Sequence, residues 1–268
     1  MSVALLEQWP GAASCVVLKL RDGAAVRVHE EGDLEVVRPW ASVTKMAVAL
    51  AVGVEVDWDL HAYEEVVGPG GATLAHLLSH SSGLGFEEGD PVRSLGERRV
   101  YSNAGIDRAV SAIVGEAGAA QWLKSRVFDG LGMNSSVLRG RPSADGFGST
   151  ADLAQLALAW LRGDGVSNAT RSRIITPYLP ELAGLVPGFG RFSPCPWGLG
   201  PEVRGTKEHW MGDWPEASFG HFGKSGALLL VNLDEEIAVV ATSDVAFGPW
   251  ATELWPTWTS RARALALS

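Results

Sequence analysis

Two residues three positions apart, Ser42 and Lys45, form the first pair in the sequence that could carry out chemistry. Residues i and i+3 share one face of a helix, so the lysine amine can lie beside the serine hydroxyl. A serine becomes a good nucleophile when a neighbouring base takes its proton, and a buried amine with a lowered pKa can be that base. The same spacing also arises from an ordinary N-cap serine followed by an unrelated lysine. The pair therefore predicts nucleophilic catalysis only if other motifs support it.

A second motif, Tyr101-Ser102-Asn103, precedes a helical stretch in a chain that has three tyrosines. The phenol can relay protons if nearby cations lower its pKa, and the amide can hold Lys45 and a substrate carbonyl. The alternative is a loop tyrosine followed by an N-capping asparagine. Together with Ser42, this motif supplies a nucleophile, two proton carriers and a positioning amide.

Several segments follow one another in an order typical of one enzyme family: "ASVTK", "LAHLLSHSSGLG", "VYSNAGIDRAVSAIV", "VFDGLGMNSSVL", "GFGSTADLAQLALAWL" and "FGHFGKSGALLLVN". Over roughly residues 13–245 the sequence resembles the serine β-lactamase-like hydrolases, in particular the branch of class C β-lactamases, D-aminopeptidases and carboxylesterases. The resemblance implies a penicillin-binding-protein-like fold. It also implies that Ser42 is the nucleophile, that Lys45 and Tyr101 are the acid–base pair, and that Asn103 is a positioning group.

The segment "FGHFGKSG" first suggests a phosphate-binding loop, because Gly223-Lys224-Ser225 matches the end of that motif. The full pattern needs a glycine at position 218, where the chain has Ser218, and a helix afterwards. The residues that follow, "ALLLVNLDEEIAVVATSD", are instead typical of a strand hairpin. The nucleotide-binding interpretation is therefore weak.

In the resembling family this segment is the third motif, K-T-G or H-T-G, on a strand that borders the active site. Two registers are open, since residues 224–226 ("KSG") match the first form and residues 221–223 ("HFG") the second. We favour the second, which keeps an F-G-H-x-G-x-x-G frame. This register implies substrate contacts from His221, Phe222, Gly223 and Lys224. The backbone N–H groups of Lys224 and Ser42 would then form the oxyanion hole.

The expected surroundings of the substrate depart from the family pattern at Phe222, where Thr or Ser usually helps to hold a substrate carboxylate. A phenyl ring cannot donate that hydrogen bond. If the ring faces the cleft, acidic β-lactams and peptide C-termini lose a partner, which favours neutral esters or amides. Lys224 could offset this loss if its amine turns inward. Trp197, Trp210 and Trp214 are either core residues or an aromatic wall over the substrate.

The elements that must position these residues are strands at both ends of the chain and helices between them. Residues 14–37 and 219–243 contain apolar, β-rich runs separated by polar turns. A nearly all-apolar helix is predicted to begin at Ser42, and four segments with 3.6-residue apolar spacing predict further helices. Residues 163–215 predict mostly loops, and the closing helix is predicted to break at Pro256.

This order of elements predicts an α/β (α+β) protein in which an antiparallel sheet flanked by helices is formed from both chain ends. Residues 1–55 and 196–268 would form the α/β sandwich domain. Residues 56–195 would form an inserted, mostly helical domain.

Composition argues against several classes of function. The net charge of −9 and a pI near 5.2 argue against nucleic acid or an anionic membrane surface as a partner. Cys15 and Cys195 lie far apart and the histidines have no metal-binding spacing, so no metal or cofactor is expected. The chain has no G-x-S-x-G motif of an α/β-hydrolase. Its first residues do not have the pattern of a signal peptide or a membrane span, so we expect a cytoplasmic protein.

The sequence therefore predicts a serine hydrolase that acts through an acyl-enzyme on a small-molecule ester or amide. Two alternatives stay open: a β-lactamase or D-amino-acid peptidase, and a non-catalytic ligand-binding or sensing module with the same fold. The complete set of Ser42, Lys45, Tyr101 and Asn103 argues against the module, since a binder does not need all four. The order in which Lys45 and Tyr101 take the proton is left open.

Overall fold

An antiparallel sheet is the centre of the computed structural model, which describes residues 4–268. The strands of the protein are β1 (Ala13–Arg21), β2 (Ala24–Glu31), β3 (Arg38–Pro39), β4 (Val137–Leu138), β5 (Gly146–Gly148), β6 (Gly184–Val186), β7 (Gly190–Phe192), β8 (Glu202–Val203), β9 (Phe219–Phe222), β10 (Leu228–Asn232) and β11 (Ile237–Ser243). The main sheet has six strands in the order β2-β1-β11-β10-β9-β8. The predicted antiparallel sheet built from both chain ends is therefore confirmed.

Helices cover both faces of this sheet. They are α1 (Thr44–Asp57), α2 (Leu74–Leu78), α3 (Asn103–Val114), α4 (Ala119–Leu123), α5 (Thr150–Arg162), α6 (Asn168–Ile175) and α7 (Pro249–Leu267). Successive residues of a strand point to opposite faces. In β1, Val16 and Leu18 pack with α1 and α5, whereas Cys15 and Val17 pack with α7. None of the helices between residues 4 and 268 is long and apolar enough to cross a membrane.

The helix α1 runs through the interior, which explains why its sequence is nearly all apolar. Twelve of its residues are buried, and these include the charged side chains of Lys45 and Glu55. Glu55 Oε1 accepts hydrogen bonds from Trp122 Nε1 and Arg126 Nε, both at 2.7 Å. Lys45, in the first turn, faces the junction between the sheet and the helices of the middle segment.

The prediction of loops over residues 163–215 is wrong for α6 and for the short hairpin β6–β7. The helix α6 is largely polar, with only Thr170 and Ile174 buried, so its sequence lacks an apolar period. The carboxylate of Asp57 instead holds its first turn. It accepts hydrogen bonds from the hydroxyls of Ser167 (2.9 Å) and Thr170 (2.5 Å).

The predicted break at Pro256 is also wrong, because α7 continues through the proline. A proline inside a helix removes one backbone hydrogen bond and costs about 3 kcal/mol. Trp255 and Trp258, on either side, are fully buried against the sheet and offset this cost. Ser260 Oγ also donates to the Pro256 carbonyl at 2.8 Å.

The helix α5 lies inside the predicted helical insertion but packs directly on β1, β10 and β11. Its first residue, Thr150, has a buried hydroxyl 2.7 Å from Ser14 Oγ and 2.6 Å from Thr242 Oγ1. The middle segment is thus joined to the sheet along a buried surface. The division into two domains stays a prediction.

Candidate active site

Ser42 lies at the junction between β3 and α1, in a 3₁₀ turn formed by Ala41–Val43. The fully buried Trp40 donates its backbone N–H to the Gly146 carbonyl at 2.8 Å, which fixes the chain before the serine. Ala41 has φ +47°, a left-handed conformation that is energetically unfavourable for a residue other than glycine. The turn thus holds the serine in one orientation, three residues before Lys45.

Lys45 is completely buried and its amine contacts three oxygens. Its Nζ lies 3.2 Å from Ser42 Oγ, 2.8 Å from Asn103 Oδ1 and 2.7 Å from the Ser143 carbonyl. All three acceptors are uncharged. Burial lowers the pKa of the amine to about 7, although the charge of Asp107 opposes this shift. Near neutral pH a substantial fraction of the amine is therefore unprotonated and able to accept a proton.

Tyr101 approaches the serine from the other side. Its hydroxyl donates to Ser42 Oγ at 2.7 Å and lies 3.4 Å from His221 Nε2. Lys45 Nζ lies 4.9 Å from the centre of the tyrosine ring. From the sequence, proton relay by the phenol was conditional on nearby cations that lower its pKa. Burial raises that pKa well above its ordinary range, against the hydrogen bond to Ser42. The phenol therefore keeps its proton at neutral pH.

Asn103 is the first residue of α3, next to the N-cap Ser102. Ser102 Oγ accepts the Gly105 N–H at 2.8 Å, which fixes the start of the helix at Asn103. In this position the Asn103 side chain reaches Lys45. The other end of the amide, Nδ2, donates to Glu87 Oε1 at 3.1 Å. With both ends bound, the amide has one orientation and presents its oxygen to the amine.

His221 and Phe222 are neighbours on β9 whose side chains go to opposite sides. Nδ1 of His221 donates to the Phe222 carbonyl at 2.7 Å, so a neutral ring presents its Nε2 lone pair to Tyr101. Burial, and then the charge of Lys45, lowers the pKa of His221 to about 3. Phe222 is buried and its ring centre lies 5.0–5.6 Å from those of Phe247, Trp210 and Trp255. Its ring is therefore packed in an aromatic cluster, away from Ser42.

Gly223 and Lys224 follow β9 and lie against the turn that carries the serine. A Cβ atom at Gly223 would lie only 2.2 Å from the Trp40 carbonyl oxygen, so the close approach requires glycine. In the described part of the chain, the N–H groups of Ser42 and Lys224 donate to no protein acceptor. Residues 224–226 turn into β10 and not into a helix, unlike a phosphate-binding loop.

A cavity of about 470 Å³ opens at Ser42 and continues towards a second, larger cavity of about 1140 Å³. The first is lined by apolar groups of Pro39, Ala41, Phe86, Ala144 and Phe147 and by the polar residues Ser42, Glu87, Asn103, Arg141, Asp145, Lys224 and Ser225. Glu87, Arg141 and Asp145 also line the larger cavity. A small acyl or leaving group can reach the serine through this opening.

Groups that the sequence analysis did not select also hold the site residues. The Ser143 carbonyl contacts Lys45 and the Glu87 carboxylate contacts Asn103. A backbone carbonyl in a loop gives no signal in a sequence, and a single surface glutamate gives little. His80, in the segment "LAHLLSHSSGLG", also supports the site. Its Nδ1 accepts the Ser102 N–H at 3.1 Å, and its ring packs 4.6 Å from that of Tyr101.

The three tryptophans that could have formed an aromatic wall are all buried. Trp197 packs against Tyr101 with its ring tilted by 54° and the ring centres 5.8 Å apart, and it also contacts His80. Trp210 and Trp214 belong to the apolar cluster below α7. Trp197 therefore supports the tyrosine from behind, and the other two are core residues.

Among residues 4–268, one group of side chains is close enough to share a metal ion. The ligand atoms of Cys15, His29 and Glu31 lie within 4.8 Å of one another. Glu31 Oε2 already accepts the N–H groups of Leu5 and Leu6, at 2.7 and 3.2 Å. Burial also raises the pKa of the Cys15 thiol. The group anchors the N-terminal turn to the sheet on the α7 side, and it has no contact with Ser42.

Comparison with known proteins identifies a family and solved structures that are similar to this chain. The sequence model of a family described as Beta-lactamase matches residues 20–257. The solved structure of a beta-lactamase from Mycobacterium bovis is 34% identical, covers 98% of each chain and has a TM-score of 0.92. No curated protein matches the sequence.

More distant structures share the fold. A mutant of simvastatin synthase from Aspergillus terreus is 13% identical, with a TM-score of 0.76 over 98% of this chain and 93% of that one. EstA from Arthrobacter nitroguajacolicus is 17% identical, with a TM-score of 0.72 over 98% and 94%. At these identities the likeness shows the fold alone.

Proposed function

Since the chain belongs to the beta-lactamase family, we propose that it is a serine hydrolase that forms an acyl-enzyme on Ser42. One observation above all supports this assignment. The Tyr101 hydroxyl and the Lys45 amine lie 2.7 and 3.2 Å from Ser42 Oγ, at the bottom of an open cavity. A nucleophile in contact with two proton carriers is the arrangement that acyl transfer requires. A non-catalytic binding module has no need of it.

In the proposed first step, the neutral Lys45 amine takes the proton of Ser42 as its Oγ attacks the substrate carbonyl. The lowered pKa of the amine and the raised pKa of the Tyr101 phenol support this order. Tyr101 keeps its proton and donates it towards the leaving group, and Lys45 restores that proton. Water then attacks the acyl-enzyme with the same groups acting in reverse. Asn103 holds Lys45 throughout.

The proposed oxyanion hole consists of the backbone N–H groups of Ser42 and Lys224. Among residues 4–268 neither group has a protein acceptor, and the tight contact between Gly223 and the Trp40 carbonyl brings the two segments together. This assignment uses the register in which His221, beside Tyr101, begins the third motif. Two preorganised N–H donors are worth several kcal/mol in acyl transfer.

We propose a neutral ester or amide with a small apolar group as the substrate. Phe86 and Phe147 line the cavity, and they favour apolar acyl groups. The preference cannot come from Phe222 through direct contact, because its ring packs among other aromatic side chains. β-Lactam hydrolysis is the second candidate, since Lys224 lines the same cavity and could attract a carboxylate. The relative from M. bovis is described as a beta-lactamase.

The test is to label the purified protein with a fluorophosphonate and to measure hydrolysis of p-nitrophenyl butyrate and of nitrocefin. We expect labelling of wild type, no labelling of Ser42→Ala, and a higher kcat/KM for the ester. Efficient hydrolysis of nitrocefin alone would favour the β-lactamase. A folded wild type that is neither labelled nor active on either substrate would favour the non-catalytic module.

A further inference from the structure

Two neutral oxygens orient the Lys45 amine, and each of them is in turn held by a carboxylate. The Asn103 amide, whose oxygen accepts from Lys45, donates through Nδ2 to Glu87 at 3.1 Å. Ser143, whose carbonyl accepts from Lys45, donates its backbone N–H to Asp107 Oδ1 at 2.9 Å. The position of the amine thus depends on where these two carboxylates lie.

One arginine joins the two carboxylates. Arg141 Nε donates to Asp107 Oδ2 at 2.7 Å, and its Nη2 lies 2.6 Å from both Asp107 Oδ2 and Glu87 Oε2. A planar guanidinium can bind two carboxylates at once, which a lysine amine does with much less fixed geometry. Glu87, Asp107 and Ser143 lie on different segments, so the arginine ties together parts of the chain that are distant in sequence.

We propose that Arg141 is a positioning residue, which acts through Asp107 and Glu87 to hold Lys45 in the geometry that activates Ser42. The inference rests on the proposed function, since it concerns the same amine. Arg141 touches neither Ser42 nor Lys45 directly. Its side chain is 45% exposed at the boundary of the two cavities, so a substitution there leaves the core intact.

The same three charges bias the protonation of Lys45 in opposite directions. Asp107 and Glu87 raise the pKa of the amine and Arg141 lowers it, on top of the larger effect of burial. Tyr101, His80 and His221 also face the amine, but all three are neutral near pH 7 because burial raises the pKa of the phenol and lowers that of both imidazoles. Removal of the arginine should therefore favour the charged amine, and removal of a carboxylate the neutral one.

The experiment compares Arg141→Ala, Arg141→Lys and Asp107→Asn with the matched control Arg108→Ala. Arg108 is the neighbour of Asp107 on α3 and also lines the larger cavity, but it donates to the Val67 carbonyl. For Arg141→Ala we expect a roughly tenfold to hundredfold loss of kcat on p-nitrophenyl butyrate with little change in KM, because a small misplacement of a catalytic group by a substitution away from the chemistry can cost up to about a hundredfold. Arg141→Lys should recover only part of the loss, and Arg108→Ala should resemble wild type.

The pH dependence of kcat/KM distinguishes a changed environment of the Lys45 amine from general damage to the fold. The rising limb of kcat/KM should move to higher pH in Arg141→Ala and to lower pH in Asp107→Asn, by a few tenths of a pH unit because these charges are partly exposed. Limbs that move in the same direction, or an Arg141→Ala variant with wild-type kcat, would overturn the inference. A wild type that fluorophosphonate does not label would instead contradict the proposed function.

Discussion

Two lysines are buried among residues 4–268, and their surroundings differ in one respect. The Lys45 amine contacts a hydroxyl, an amide oxygen and a carbonyl, with no carboxylate oxygen in salt-bridge distance in the described part of the chain. The Lys207 amine contacts two carbonyls and also Glu202 Oε1, at 3.1 Å. Both side chains are almost inaccessible to water. The difference is therefore the charge of the partner.

The cluster around Lys207 is fully paired. Besides the lysine, Glu202 accepts from His209 Nε2 at 2.7 Å and Trp210 Nε1 at 2.8 Å. Burial by itself would raise the pKa of this carboxyl, but the charges of Lys207 and His209 hold it well below its usual range. Removal of one partner from such a buried ion pair leaves the other charge uncompensated and destabilises the fold. A buried amine among neutral oxygens can lose its proton, and this property suits it to act as a base.

The largest expected effect is on chemistry at Lys45. Lys45→Met should lower kcat on p-nitrophenyl butyrate by about 10³-fold or more, because the serine loses its base. The double variant with Ser42→Ala should be no worse than Ser42→Ala alone, since groups that act as a unit do not add. Circular dichroism should show a folded protein. An activity within tenfold of wild type would contradict the assignment of Lys45.

Substitution of Lys207 should lower the stability of the fold and leave the chemistry at Ser42 in place. Lys207→Met should lower the free energy of unfolding by about 3–5 kcal/mol, because Glu202 keeps a buried charge with one partner fewer. Urea denaturation measures this loss. The double variant Lys207→Met/Glu202→Gln should recover part of it and retain esterase activity. If the single variant were as stable as wild type, the proposed contrast between the two lysines would be wrong.

The pH dependence of activity sharpens the comparison. Because Lys45 must be neutral to accept a proton and its pKa is about 7, kcat/KM should rise with pH up to about neutrality. Below that point the rate should fall about tenfold per pH unit. A series of initial rates between pH 5 and 8.5 measures the limb. A rate that is flat from pH 5 to 8 would mean that Lys45 does not supply the base.

The smallest effect concerns Phe222, which packs on Trp210 beside the Glu202 cluster. Phe222→Leu should cost about 1–3 kcal/mol of stability, as expected for a buried ring replaced by a smaller side chain. The ratio of kcat/KM for p-nitrophenyl butyrate and nitrocefin should not change. A changed ratio in the folded variant would show that this position affects substrate choice after all, as the sequence had suggested.

Much of the fold could be predicted because its signals are local. The nearly continuous apolar, β-rich runs of β1, β10 and β11 identify buried strands, and the apolar run after Ser42 identifies a buried helix. The prediction failed where a distant contact outweighs a local preference. α6 forms because Asp57 holds its first turn, and α7 passes Pro256 because two tryptophans hold it on the sheet.

The sequence by itself determined the spacing of Ser42 and Lys45, since two residues three positions apart lie on the same face wherever the segment is helical. It also determined the class of chemistry, through the types of residue in its motifs. Only the tertiary structure decided that Phe222 turns away from the cavity and that burial raises the pKa of Tyr101. It alone also placed Arg141 in contact with Asp107, which holds the Ser143 backbone beside Lys45. Burial and contacts between remote segments depend on how the whole chain packs, and no local pattern records them.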